Sequence, residues 1–368
     1  MIGWGILGTG SVAGHFARGL RFVRDARLLA VGSRSLAKAG AFARELAVPR
    51  AYGSYEDLVA DREINVVYIA TPNHRHRADC LLALEAGKAV LCEKPFAVSA
   101  VEAREVIAWA RRKRRFCMEA MWMRFLPVMA RLRDLIQTGA IGEIRLLRAD
   151  FGIPKPYEED NRFFNREMGG GATLTFGVYL VSLAFWLLGK PSAITGQASF
   201  GTTGVDEQSV TVLGYPNGEM AVLTASVRSD LPCEAMITGT RGEIRIHSPL
   251  YRARELTVRT FPEVPPPSSE NGRGFARFRR GPLLRAVWFR FRDLFQRLVR
   301  GSAATVFEPF EGNGYNFEAA EVTRCLQAGE LESRIMPLEE TLSIMETIDA
   351  IRDQWESQPH PAPQGGSF

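Results

Sequence analysis

Residues 2–7 form an apolar run that passes directly through Gly8-Thr9-Gly10-Ser11-Val12-Ala13 into a helical pattern. A buried strand, a glycine-spaced turn and a helix in that order admit few folds. Gly8 allows the tight turn, Gly10 lets the backbone come close to a pyrophosphate, and small Ala13 lets helix and strand pack closely. The first turn of the helix, with Ser11 and Val12, offers free N–H groups and a partial positive charge to phosphates. A lone glycine pattern is weak, and here the ordered strand and helix on either side strengthen it.

Strand-like runs at 28–33, 66–70, 89–92 and 116–119 alternate with helical stretches at 36–46, 76–86 and 100–114. Such alternation predicts a parallel sheet covered on both faces, a Rossmann-type α/β domain over about residues 1–122. Ligands bind such sheets beyond the carboxyl ends of the strands. The strand exits to watch are therefore 8–13, 33–34, 71–76 and 93–95. After Trp122 the pattern changes. A helix at 126–138, a strand at 143–151 and a helix at 172–188 lead into β-rich runs at 194–200, 209–215, 220–227, 235–238, 243–247 and 256–261. Tyr215-Pro-Asn-Gly218 and Gly239-Thr-Arg-Gly242 are turn sequences between them. The expectation is a second α+β domain, 123–355, with an open, largely antiparallel sheet. A last helix is expected at 338–355, and the Pro/Gly/Ser-rich residues 356–368 read as a disordered tail.

At 368 residues the chain can hold two sizeable cores. No apolar run reaches the roughly 20 residues of a membrane span, and a strand starting at Ile2 leaves no room for a signal peptide. Five widely spaced cysteines without a Cys-x-x-Cys pair read as reduced thiols in a cytoplasmic protein. No ligand-spaced cluster accompanies His74 and His76, so no metal is expected. Between 270 and 301 nine arginines face only Glu270 and Asp293, which makes that segment +7 and leaves the rest at −2 within the net +5. Basicity confined to one segment argues against nucleic acid as the partner.

Which nucleotide fits follows from the second strand exit. An acidic residue commonly grips the ribose 2′-hydroxyl there, whereas this chain has Ser33-Arg34 with Lys38 nearby. Arg34 would pair with a 2′-phosphate, so NADP is expected rather than NAD. Lys94, between Glu93 and Pro95 at a strand exit, can overhang the cleft where burial or charge shifts its pKa. Thr175 and Tyr179 are four apart on the expected helix after Gly169-Gly-Gly171 and should face one side. A nearby ammonium would lower the tyrosine pKa and let it exchange a proton.

These motifs resemble the Gfo/Idh/MocA oxidoreductase family: Gly8–Ala13, Ala70-Thr-Pro-Asn-His74, Glu93-Lys-Pro95 and Gly169-Gly-Gly171…Gly177-Val-Tyr179. Glu119-Ala-Met-Trp-Met-Arg-Phe-Leu-Pro127 resembles the narrower subgroup of dimeric dihydrodiol dehydrogenase and NADP-dependent D-xylose dehydrogenase. The resemblance implies hydride transfer between nicotinamide and a sugar, cyclic polyol or dihydrodiol-like hydroxy compound. It makes Lys94 the catalytic lysine and Tyr179 the proton-transferring tyrosine. Gly8, Gly10 and Ala13 would hold the pyrophosphate and Ser33 and Arg34 the 2′-phosphate. Thr71, Pro72, Asn73 and His76 would line the cofactor cleft, and Trp122, Arg124 and Phe151 the substrate wall. It also implies a homo-oligomer, a dimer or higher, formed through the open sheet. The family's usual aspartate is Thr175 here, which keeps open a non-catalytic nucleotide-binding protein, and a redox-assisted glycosidase shares the same fold.

Residues 263–305 depart from the family pattern. Apolar residues recur at helical spacing among arginines over 282–300, which suits packing on the protein itself, on a dimer mate or over the cleft, with weak peripheral membrane contact as the alternative.

Overall fold

The computed structural model describes residues 1–158, 161–261 and 303–356. The amphipathic stretch 282–300, most of the 263–305 insertion and the tail from 357 onward lie outside the described residues.

The first sheet has six strands, β1 (Ile2–Leu7), β2 (Ala26–Gly32), β3 (Arg50–Tyr52), β4 (Val66–Ile69), β5 (Ala89–Glu93) and β6 (Cys117–Ala120). Their order is β3-β2-β1-β4-β5-β6, with every neighbouring pair parallel. Strands this short and apolar, buried on both faces, need helices on each side. Those are α1 (Ser11–Leu20), α2 (Leu36–Leu46), α3 (Tyr55–Ala60), α4 (His76–Glu85) and α5 (Ala100–Lys113). Trp4, Phe16 and Tyr68 are buried together, with Phe16 and Tyr68 stacked at 3.7 Å between centroids. The order reverses between β1 and β4, which opens a crevice at their carboxyl ends. Strand β3 and helix α3 carry too few residues to show a period and were not anticipated.

The second sheet has eight strands in the order β14-β13-β12-β11-β7-β10-β9-β8. Its members are β7 (Ile144–Gly152), β8 (Ala193–Phe200), β9 (Asp206–Gly214), β10 (Met220–Ser226), β11 (Ala235–Gly239), β12 (Gly242–Ile246), β13 (Glu255–Thr260) and β14 (Ala303–Phe307). It is antiparallel except for the β7–β10 pair. Both expected hairpin turns fall between strands. Residues 303–305, expected inside the insertion, instead begin β14, which pairs with β13 at the sheet edge.

Helix α6 (Pro127–Gln137) follows a 3-10 turn, Trp122–Phe125. The helix expected over 172–188 is a π-helical turn, Thr173–Gly177, followed by α7 (Val178–Leu188). Asp206 accepts from the Thr173 backbone N–H at 2.7 Å and from its hydroxyl at 2.6 Å, which fixes where that turn begins. A Cβ on Gly171 (φ +108°) would lie 2.2 Å from the same carboxylate. Near the C-terminus, α8 (Tyr315–Ala328) packs on α1, and α9 (Leu338–Glu356) packs on both α5 and α7. The two sheets are thus joined by helices from the far end of the chain.

Candidate active site

The crevice between β1 and β4 widens into a cleft of about 400 Å³. Gly8, Gly10, Ser11, Val12, Ser33, Arg34, Lys38, Thr71, Pro72, Asn73, His76, Glu93, Lys94 and Thr175 line it. Thr9, Tyr55, Arg162 and Phe163 line it as well. Sequence reasoning missed these four. Thr9 stood within a recognised motif, but nothing local marks the other three, which reach the cleft only by tertiary folding.

At the glycine turn, Gly8 has φ +105° and an added Cβ would lie 2.5 Å from the Ala70 carbonyl oxygen, so only glycine fits. A Cβ at Gly10 would meet nothing within 4 Å, which leaves open space over the start of α1. That helix has no side-chain cap and no acidic residue in its first turn, so its N–H groups are available to an anion. Ala13 is fully buried below the turn and does not line the cleft. Arg34 and Lys38 make no ion pair among the described residues. The Thr71 hydroxyl is buried without a hydrogen-bond partner among the described residues. A dinucleotide would fit this donor set: Gly8, Gly10 and the first turn of α1 would hold its diphosphate, and Ser33, Arg34 and Lys38 its adenosine ribose.

His76 ties two cleft loops together. It is fully buried, with Nδ1 2.8 Å from the Pro95 oxygen and Nε2 2.9 Å from the Thr71 oxygen. Burial lowers its pKa, and a neutral ring has one N–H, so it donates to one of the two. Asn73 donates to the Gly169 oxygen at 3.0 Å, joining the β4 exit to the glycine-rich segment.

Lys94 follows β5 and its side chain is partly buried. Its Nζ donates to the Thr175 backbone oxygen at 2.9 Å and lies 4.6 Å from the centre of the Tyr179 ring. Burial lowers its pKa to about 8, opposed chiefly by Glu93. The Glu93 carboxylate accepts from the Tyr68 hydroxyl and from the Lys94 backbone N–H. Burial holds its pKa above the ordinary carboxylate value. The absence of an aspartate at 175 therefore does not leave the ammonium without a partner, because a backbone carbonyl serves. The π-helical turn also corrects the expectation that Thr175 and Tyr179 lie one turn apart on a single α-helix. Thr175 presents its carbonyl, and Tyr179 its ring, to the same ammonium.

Tyr179 is buried and accepts from Trp122 Nε1 at 2.9 Å, while its own proton is donated to no acceptor among the described residues. The expected lowering of its pKa by a neighbouring ammonium is not met: burial dominates and pushes it well above the ordinary phenol value.

The expected substrate wall needs correction at Arg124, which lies in the core, not at the cleft. It donates to the Ser182 hydroxyl at 2.8 Å and to the Ser182 carbonyl at 2.6 Å, and pairs with Glu340 at 2.6 Å. A buried guanidinium needs such partners, and this set locks α7 to α9. Trp122 and Phe151, the other two residues expected at that wall, lie outside the nucleotide cleft. They stand in an aromatic layer around Tyr179. Trp122 stacks on Tyr315 at 4.5 Å, and Phe151 stacks on Phe176 at 4.4 Å and on Tyr251 at 5.0 Å. Tyr251 and Tyr315 are partly exposed, so the layer reaches solvent.

Comparison with known proteins agrees with this arrangement. Residues 2–121 match the model of an oxidoreductase family with an NAD-binding Rossmann fold, and residues 129–245 match the GFO/IDH/MocA C-terminal domain. Trans-1,2-dihydrobenzene-1,2-diol dehydrogenase of Bos taurus is 33% identical over 357 residues, and that of Mus musculus 35% over 354, each covering 95% of both chains. Among solved structures, aldose-aldose oxidoreductase from Caulobacter crescentus superposes with a TM-score of 0.78 at 21% identity over 96% of each chain. A 3-ketoreductase from Actinomadura kijaniata, in complex with NADP and TDP-benzene, gives 0.77 at 22%, over 96% of this chain and 97% of that one. At those identities the two structures share the fold. No helix among the described residues is long and apolar enough to cross a membrane. With a glycine turn, a strand-exit lysine and an eight-stranded sheet joined as described, the chain belongs to the Gfo/Idh/MocA family of oxidoreductases.

Proposed function

We propose that this protein is an NADP-dependent dehydrogenase that interconverts a secondary alcohol and a ketone on a ring compound. The observation that carries the reading is Lys94, a partly buried amine with a pKa near 8, set against Thr175 and Tyr179 at the end of the cleft. Bound nicotinamide would supply or take up the hydride. The chain's own residues hold the substrate oxygen and manage its proton. Lys94 exchanges a proton near neutral pH, as an acid–base group should. Tyr179 remains a phenol and offers its unused proton to the developing alkoxide in the reductive direction. Arg34 and Lys38 support NADP over NAD, since each would meet a 2′-phosphate with an unpaired charge.

The aromatic layer narrows the substrate class. Phe151, Phe176, Trp122 and Tyr251 surround Tyr179 with apolar faces, which suit a flat, sparsely hydroxylated ring better than a sugar. Full-length similarity to dihydrodiol dehydrogenases supports the same choice. Five buried, free thiols suit a reducing compartment such as the cytoplasm.

The test is a tryptophan-quench titration with NADPH and NADH, then an absorbance screen at the nicotinamide band with dihydrodiols, inositols and aldoses. Tighter NADPH binding and turnover of a cyclic diol are expected. Tyr179→Phe should lower kcat by about 10²-fold or more with NADPH affinity retained. Tight NADPH binding without turnover across the panel would refute the enzyme in favour of a nucleotide-binding protein.

A further inference from the structure

The parallel sheet has a second concave end. At the amino ends of β1, β4, β5 and β6, opposite the nucleotide cleft, lies a pocket of about 440 Å³. Arg62, Lys88, Arg114, Arg115 and Glu330 line it, with Leu331 beside them.

Its three arginines are unusual in having no side-chain partner among the described residues. The run Arg111-Arg-Lys-Arg-Arg115 ends α5, and its first three members are occupied locally. Arg111 pairs with Glu339 at 3.2 Å, Arg112 lies 3.7 Å over the Trp109 ring, and Lys113 pairs with Glu85 at 2.9 Å. Arg114 takes a left-handed conformation, φ +52°, which stops the helix and turns the chain toward the pocket. Neither Arg114, Arg115 nor Arg62 has a side-chain hydrogen bond or ion pair among the described residues. Arg115 passes against Gly87, where an added Cβ would lie 3.3 Å from its Nη2.

Lys88 is more than nine-tenths buried at this site. Its Nζ donates to the Asp61 oxygen at 2.6 Å and the Ile64 oxygen at 2.8 Å, which leaves one of its three N–H groups unused. Burial, and after it the nearby Arg115 charge, oppose the Lys88 ammonium, while the Asp61 carboxylate, itself held by Arg50 and Tyr52, favours it. The carboxylate of Glu330 neutralises none of these groups, because it is already paired with Arg324 at 2.8 Å.

We propose that this pocket is a second anion site, separate from the nucleotide cleft, which binds a phosphate-bearing small molecule through Arg62, Arg114, Arg115 and Lys88. Guanidinium forks match phosphate oxygens two at a time, and a phosphate dianion offsets like charges that otherwise repel. Leu331, 44% exposed, gives an apolar contact for the organic part of a phosphate ester.

Hydrogen–deuterium exchange of the full-length protein in 0.15 M NaCl, with added inorganic phosphate or phenyl phosphate, tests this. Saturable protection is expected across 61–66, 86–89 and 113–117. Phenyl phosphate should half-saturate at a lower concentration than inorganic phosphate. In Arg62→Ser/Arg115→Ser the half-saturating concentration should rise at least tenfold, with the melting temperature unchanged. Segment 8–12 reports the nucleotide cleft separately in the same digest. Protection confined to 8–12 and 33–38, or equal protection in the double variant, would overturn the proposal.

Discussion

Replacing Lys94 by methionine should stabilise the protein at neutral pH while removing its activity. Methionine keeps the length and apolar stem and deletes the charge. The amine titrates at about 8 in the folded chain against 10.5 when free, because burial penalises its charged form. At about 1.4 kcal/mol per pKa unit, that shift is a penalty of roughly 3 kcal/mol. The sign follows from proton counts. Between pH 8 and 10.5 the unfolded chain holds this proton and the folded chain has released it, so stability rises with pH in that window. Below pH 8 the full penalty is present, and above 10.5 it is gone. The advantage of Lys94→Met over the parent should therefore shrink by roughly 2–3 kcal/mol from pH 7 to pH 10. Packing differences between the two side chains do not depend on pH and cancel in that comparison. Urea unfolding of both nucleotide-free proteins at pH 7, 8, 9 and 10, followed by tryptophan fluorescence, measures it. An advantage that is flat with pH would mean that Lys94 is not held against its charge, and the argument for a proton-exchanging lysine would fall with it.

Other substitutions separate the remaining parts of the site. Arg34→Ser should weaken NADPH binding by roughly 1.5–3 kcal/mol, the range for a hydrogen bond to a charged group, and leave NADH unchanged; equal loss for both would remove the case for a 2′-phosphate contact. Thr175→Asp should raise the Lys94 pKa above about 8, since a carboxylate favours the ammonium, and shift the midpoint of the pH–kcat/KM profile upward. An unmoved midpoint would show that residue 175 does not act on this amine. Arg124→Leu should destabilise by about 3–5 kcal/mol in urea, because it strips the partner from Glu340 and removes the charge that most offsets the buried Glu119 carboxylate. A loss below about 1 kcal/mol would show that the buried pair does not hold α7 to α9.

Five of the six strands of the first sheet were readable because their signals are local. Apolar runs and the Gly8 turn act within a few residues of where they stand. The cleft was readable for the same reason, since a strand exit is a position along the chain before it is a place in space. Arg124 was misplaced because its surroundings come from far away: Ser182 is 58 residues on and Ile335 is 211. No local pattern separates a buried arginine from one facing a substrate.

By itself the sequence determined that strands and helices alternate, where the glycine turn sits, and that a lysine leaves β5 beside it. Periodicity and steric freedom decide those features residue by residue. The tertiary structure alone decided what the lysine meets. It brought the Thr175 carbonyl across 81 residues, set that residue in a π-helical turn, and buried Tyr179 among aromatic rings. Desolvation and hydrogen bonding depend on everything packed around a group. The chemistry of Lys94 is therefore a property of the assembled fold.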